Sequence, residues 1–308
     1  MSNSSTENRL NHLSAQEWLR FTKTWFIHNP PPRKKNEILH PAKYPEQMIA
    51  EFIKFFTKEG AVVVDPFLGT GSTLVACHTT QRHGIGIELQ EKYAKIAEER
   101  IKVLEQQRES ADSLVASISL QQRWKLDVSS DERAAERTKE GARPHCKQIV
   151  IRGNAAEFEK YWQEFQLPQA DLVITSPPYG AMLQKKGLVS KERKVEGLDV
   201  QYSNDPEDLG NAENYELFVQ KLVEILSALR QRLKPEAHLV IILQNYMNKG
   251  EYKTLAWDVG KELSKIYQFR GERIWCQDNK TLYPYGYRYS FVPNVHHHYC
   301  LIFKNVES

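Results

Sequence analysis

From residue 61 onward the sequence alternates short β-branched runs with segments of helical period, and this alternation constrains the fold more than any other feature. Residues 61–65 (AVVVD), 84–88 (GIGIE), 147–152 (KQIVIR), 171–176 (DLVITS) and 238–243 (HLVIIL) read as strands, with 297–304 (HHYCLIFK) as a further one. Their near-continuous apolar character is that of strands covered on both faces. Helical patterns occupy 44–59, 72–80, 90–105, 155–166, 213–234 and 252–268. In 213–234 the positions Leu217, Val219, Leu222, Val223, Leu226 and Leu229 form one face, closed by Pro235. The alternation predicts an α/β fold with a doubly wound, mainly parallel sheet.

Two stretches interrupt it. Residues 106–146 are rich in Glu, Arg, Gln, Ser and Ala, and read as a mostly helical insertion with a loose tail near 129–145. At that length they exceed an ordinary connection within a compact domain. Residues 180–212 carry five basic residues and few periodic apolar positions, which reads as a long loop. The chain of 308 residues is 41% hydrophobic and 26% charged, so a core can form and wholesale disorder is excluded. No apolar run approaches the roughly 20 residues that span a bilayer, and the first residues lack a signal-peptide pattern. The four cysteines, Cys77, Cys146, Cys276 and Cys300, have no metal-ribbon spacing and suit a reducing, cytoplasmic setting. A net charge of +3 excludes a histone-like, charge-driven DNA binder. Its excess falls in 1–60, 181–200 and 269–308.

The segment Asp65-Pro66-Phe67-Leu68-Gly69-Thr70-Gly71-Ser72-Thr73 follows the first strand and opens a helix. Glycines there allow a sharp turn and close ligand approach, and the free N–H groups of a helix start favour negative charge. No Lys follows Gly71, so it is not a P-loop, and Leu74 stands where a dinucleotide fingerprint has its third Gly. Glu88 ends the next strand, at the crevice edge where a carboxylate accepts from both hydroxyls of a ribose. Taken together, this order points to a nucleoside cofactor.

The fourth strand runs into Thr175-Ser176-Pro177-Pro178-Tyr179. Consecutive prolines stop the strand and fix an extended path. The Ser176 side chain and Pro177 carbonyl then form rigid acceptors beside the Tyr179 ring, a set suited to an exocyclic amino group on a planar base. A plain strand terminator with a core tyrosine explains these residues equally well in isolation.

The glycine loop and the Ser-Pro-Pro-Tyr corner together resemble the amino-group DNA methyltransferases that use S-adenosylmethionine. His40-Pro41-Ala42-Lys43-Tyr44-Pro45-Glu46 is similar to the family's segment ahead of the glycine loop, Gly86-Ile87-Glu88 with Tyr93 to its ribose-binding motif, and Gly153-Asn154-Ala155 to its adenine-side motif. Asn154 departs from the usual Asp. The cofactor half precedes the catalytic half, the reverse of many Ser-Pro-Pro-Tyr enzymes, as in a circular rearrangement. The resemblance implies a class I, Rossmann-like methyltransferase fold with a seven-stranded sheet and a C-terminal antiparallel strand. It implies one catalytic domain over 1–308: an N-terminal arm (1–43), a cofactor half (44–105), the 106–146 insertion, and a catalytic half (147–308) with recognition loops near 180–212 and 276–295. His40, Pro41, Asp65, Pro66, Phe67, Gly69, Gly71, Ser72, Thr73, Glu88 and Asn154 are then the cofactor-binding set. Ser176, Pro177, Pro178 and Tyr179 are the catalytic set.

The family's reaction is direct methyl transfer to a flipped base in double-stranded DNA. Ser176 at the head of the tetrapeptide favours cytosine N4, with adenine N6 as the alternative and a silent DNA-binding module as a minor one. A companion restriction endonuclease and a nucleoid location follow from the same resemblance, while the oligomeric state stays open. Lys185, Lys186, Lys191, Arg193 and Lys194 follow the corner and suit phosphate contacts, or an ordinary solvated loop. In 283–291 aromatics occupy every second position with Arg288 between them, which reads as a DNA-stacking element or a core-facing strand. His296, His297 and His298 lack a completing ligand pattern, so no metal site is expected.

Overall fold

The computed structural model describes residues 8–29, 44–125, 146–178, 208–248 and 250–306. The first helix, α1 (Ala15–Phe21), starts on a capping box in which Ser14 and Glu17 satisfy each other's backbone N–H groups. Then come β1 (Trp25–Ile27), α2 (Glu46–Phe56), β2 (Val62–Asp65), α3 (Ser72–Thr79), β3 (His83–Glu88), α4 (Glu91–Lys125) and β4 (Gln148–Arg152). After β4 follow α5 (Phe158–Glu164), β5 (Ala170–Thr175), α6 (Tyr215–Ala228), β6 (Leu233–Leu243), the short pair β7 (Tyr246–Asn248) and β8 (Glu251–Lys253), α7 (Leu255–Leu263), β9 (Gln268–Cys276) and β10 (His297–Lys304).

The main sheet has the order β1-β9-β10-β6-β5-β2-β3-β4. Every pairing is parallel except the two made by β10. Seven strands therefore end at one carboxyl edge, which carries Asp65, Glu88, Thr175, Leu243 and Cys276. Alternate residues feed opposite faces: Val62, Val64, Val173, Leu239 and Ile241 join one core cluster with residues of α5, α6 and α7, whereas Val63, Leu172, Ile174, Val240 and Ile242 join another with residues of α2 and α3. The near-continuous apolar runs are explained by this double coverage, where each fully buried Val, Leu, Ile or Phe side chain contributes about 1.5–3 kcal/mol. Among the described residues, no helix is long and apolar enough to cross a membrane.

The doubly wound, mainly parallel α/β expectation is met, with four differences. The sheet has eight strands rather than seven, because Trp25–Ile27 of the N-terminal arm pairs with β9 at the edge. Neither β1 nor β9 shows in the apolar pattern: β1 is three residues long, and the first half of β9 is solvated. The helix read as 213–234 ends at Ala228 and gives way to a 3-10 turn at Leu229–Arg232, so Pro235 lies inside β6. It is tolerated there because the β5–β6 register jumps from Ala170↔Leu233 to Leu172↔His238, a bulge in which Glu236 takes a positive φ of 67°. Helix 90–105 does not stop at 105 but continues as α4 to Lys125. Finally, 284–290 is a run of turns, so the 283–291 segment is neither an extended strand nor core-facing.

Candidate active site

Four loops on the carboxyl edge enclose a cavity of about 580 Å³. Its wall includes Pro66, Phe67, Gly69 and Ser72 from the β2–α3 turn, Glu88 from β3, Asn154 from the turn after β4, and Ser176 and Pro178 from the corner after β5. The motifs, up to about 110 residues apart in sequence, thus meet because β2, β3 and β5 are neighbours running the same way.

Asp65 anchors the turn without facing the cavity. It is fully buried, and its carboxylate accepts from the hydroxyls of Tyr44 (2.5 Å), Thr73 (2.5 Å) and Thr175 (2.6 Å) and from the Phe67 N–H (3.1 Å). Burial pushes its carboxyl upward, against the four donors that hold the charge. Thr73 is therefore a support for Asp65 rather than a wall residue, as its full burial also indicates. Gly71 supplies the left-handed N-cap of α3, at φ +86°, and a Cβ there would meet the Ala97 Cβ of α4 at 2.9 Å. It serves the turn's shape, and the cavity wall does not include it.

Glu88 faces the cavity with its carboxylate tied at both oxygens, from Gly69 N–H at 2.7 Å and Gln90 N–H at 2.9 Å. Burial raises its pKa to about 7, with the two backbone donors opposing the shift. The lone pairs that remain are positioned for hydroxyl donors. Ser72, at the first turn of α3, has a buried hydroxyl with no hydrogen-bond partner among the described residues. A buried hydroxyl on the wall of a cavity, at the positive end of a helix, fits an anionic ligand group. Asn154 caps the 3-10 turn that follows it, its amide oxygen accepting from Ala156 N–H at 2.9 Å. That oxygen therefore has only part of its capacity left for the adenine contact expected of it.

Ser176 and Pro178 reach the wall, while Pro177 is buried behind them. Tyr179, His40, Pro41, Lys185, Lys186, Lys191, Arg193 and Lys194 lie outside the described residues. Arg288 is exposed on the turn at 284–290, its guanidinium 5.3 Å from the Tyr287 ring centre. His298 is half-buried and stacked on Trp275 at 4.5 Å, and desolvation of its ring drives its pKa down to about 3.

Three contributors were not singled out from sequence. Tyr44 closes the Asp65 network and lines the cavity. Arg100, on α4, donates to the Thr70 carbonyl at 2.5 Å and also pairs with Glu46 at the start of α2. Asp208, buried on the wall, accepts from Gly210 N–H and adds a negative charge that pushes Glu88 further upward. Only Tyr44 carried a signal, through its place in the His-Pro segment.

Residues 2–99 match the model of a protein family described as DNA methylase, the N6/N4 group. The type II methyltransferase M.BglI of Bacillus subtilis is 34% identical over 91 residues, 30% of this chain and 26% of that protein. M.HpaI of Haemophilus parainfluenzae, also a type II methyltransferase, is 37% identical over 67 residues, or 22% and 21% of the two chains. The orphan methyltransferase M.BamHII of Bacillus amyloliquefaciens is 40% identical over 63 residues, 20% of this chain and 24% of the other. The matched stretch thus covers about a quarter or less of each relative. The likeness supports the family read from the motifs, and with it S-adenosylmethionine as cofactor.

Proposed function

We propose that this chain, a member of the N6/N4 DNA methylase family, methylates the exocyclic N4 of cytosine in double-stranded DNA, using a base flipped out of the duplex. The observation that carries the reading is one shared cavity: Ser176 and Pro178 of the corner lie on the same wall as Gly69, Ser72 and Glu88. Glu88 would hold the ribose hydroxyls of S-adenosylmethionine, Ser72 its anionic end, and Asn154 its adenine side. The cofactor supplies an activated methyl group. No nucleophilic residue is then required of the protein.

What the protein must do is prepare the amino nitrogen, whose lone pair is delocalised into the base ring. Acceptance of the two amino hydrogens by Ser176 Oγ on the wall and by the Pro177 carbonyl, which must turn toward the cavity from a buried residue to do so, localises that lone pair as the new bond forms. Flipping costs about a few kcal/mol, and stacking on Tyr179 offsets about 1–3 kcal/mol of it. Lys185, Lys186, Lys191, Arg193 and Lys194 would take phosphates of the flanking duplex. Ser176 at the head of the tetrapeptide favours cytosine N4; adenine N6 is the alternative with the same mechanism. Both type II and orphan methyltransferases occur among the relatives, so a companion endonuclease is an optional partner.

Incubation with methyl-labelled cofactor and mixed-sequence genomic DNA, followed by digestion to nucleosides, tests the reading. Label in N4-methylcytosine is expected. Label in N6-methyladenine transfers the assignment to the alternative, and DNA without label overturns the enzyme reading.

A further inference from the structure

The turn at 284–290 projects large rings into solvent: Tyr287 is 67% exposed, Tyr289 95% and Phe291 90%. Isolated exposed aromatics are ordinary on a protein surface, but three within five residues at one loop tip form an apolar projection. The tip is also built rather than slack. Asn294 clamps the Tyr283 backbone from both sides, donating to its carbonyl at 2.9 Å and accepting from its N–H at 3.0 Å. Tyr289 and Ser290 N–H groups both donate to the Gly286 carbonyl at 2.9 Å. Gly286 has φ +70°, and a Cβ there would meet the Ser290 carbonyl oxygen at 2.3 Å, so the turn admits glycine alone. Arg288 is held in the left-handed region at φ +69°, a conformation that persists in a non-glycine residue only where its surroundings impose it.

The place of this tip in the fold matters. His297 pairs with Cys276, and Tyr299 with Leu243, so the loop leaves the sheet at the carboxyl edge that carries Ser176. Gln244, next after β6, donates to the His297 carbonyl at 2.9 Å and fixes the loop's base. From β10 to β5 is two strand spacings, roughly 10 Å, or about three base steps of a duplex.

We infer that this turn is a stacking wedge for duplex DNA: Tyr289 and Phe291 enter the stack beside the extruded base, and Arg288 takes a backbone phosphate. The inference rests on the DNA methylation reading. A duplex that has lost one base from its stack exposes apolar base faces a few steps from the corner, and rigid rings are suited to cover them. Arg288 lies against the Tyr287 face, which orients its guanidinium without neutralising it.

The full chain carrying Tyr287→Ala, Tyr289→Ala and Phe291→Ala is compared with the unaltered chain for label transfer to mixed-sequence genomic DNA. A loss of about tenfold or more, with cofactor affinity unchanged within about twofold, is expected. Transfer retained within about threefold overturns the wedge while leaving the methylation reading standing. If the unaltered chain labels no DNA, the methylation reading fails and the wedge falls with it. If the triple variant converts a dimer into a monomer in sedimentation, the rings serve a second copy of the chain and the wedge is overturned. Should the triple variant fail to fold, Tyr289→Trp decides. Indole emission beyond that of the unaltered chain, quenched on adding duplex, supports stacking, and unchanged emission overturns it.

Discussion

Thr175 Oγ1 donates to Asp65 Oδ1 at 2.6 Å, so the last residue of β5 is tied to the last residue of β2 by a buried, charge-assisted hydrogen bond. One of these residues opens the glycine turn and the other precedes Ser176. The glycine turn and the Ser-Pro-Pro corner, the two halves of the proposed site, therefore share one carboxylate as their common support.

Thr175→Val keeps the shape and removes one of four donors from Asp65. A loss of about 1.5–3 kcal/mol in denaturant unfolding is expected, as for a hydrogen bond to a buried charge. Turnover should fall more than cofactor affinity, since three donors still hold the glycine turn. Thr175→Ser should restore turnover, which a purely volumetric effect would not allow.

Glu88 gives the site a pH dependence. With its pKa raised to about 7, the carboxylate loses its charge as pH falls through neutrality. Cofactor affinity should be level above about pH 7 and decline by up to about tenfold per unit below it. Stability from the same group runs the other way: a raised folded pKa favours the protonated fold, and this contribution is lost as pH rises from about 4.5 to about 7. Calorimetric titration across this range, with Glu88→Gln flattening the affinity profile and weakening it by about tenfold, checks both signs.

Gly71→Ala places a methyl group 2.9 Å from Ala97 Cβ in a backbone region that disfavours side chains. A cost of about 1–3 kcal/mol is expected, visible as a lowered melting temperature. Cofactor affinity should fall with it, because Gly69 and Ser72 ride on the same turn.

Ser176→Ala and Tyr179→Ala should each separate chemistry from cofactor binding. For Ser176→Ala the expected loss of turnover is about 100-fold, as for removal of one polar partner of a developing charge. Cofactor affinity, measured without DNA, should stay within about twofold for both. Equal losses in turnover and affinity would place these residues in the cofactor site instead.

The sheet and the principal motifs were legible because both depend on local pattern. Parallel strands buried on both faces must be apolar throughout, and a glycine turn or a Pro-Pro corner is written in consecutive residues. What escaped was non-local. Arg100 reaches Thr70 across 30 positions and Glu46 across 54, and nothing in the helical pattern of α4 marks it. Pro235 looked like a helix stop because the bulge that accommodates it exists only once β5 and β6 are paired. The edge strand β1 is only three residues long, and the first half of its neighbour β9 is solvated, so neither shows the apolar run that marked the central strands.

Helix α4 is rooted in the site at its near end, where Ala97 packs on Gly71 and Arg100 grips Thr70, and it runs on to Lys125. From Ala97 to Lys125 the axis measures roughly 42 Å at 1.5 Å per residue. It is therefore a pointer: a rotation of about 5° at the root would carry the far end through roughly 4 Å. Motions of the glycine turn too small to see directly are magnified there, and a spectroscopic label near position 120 would read them out.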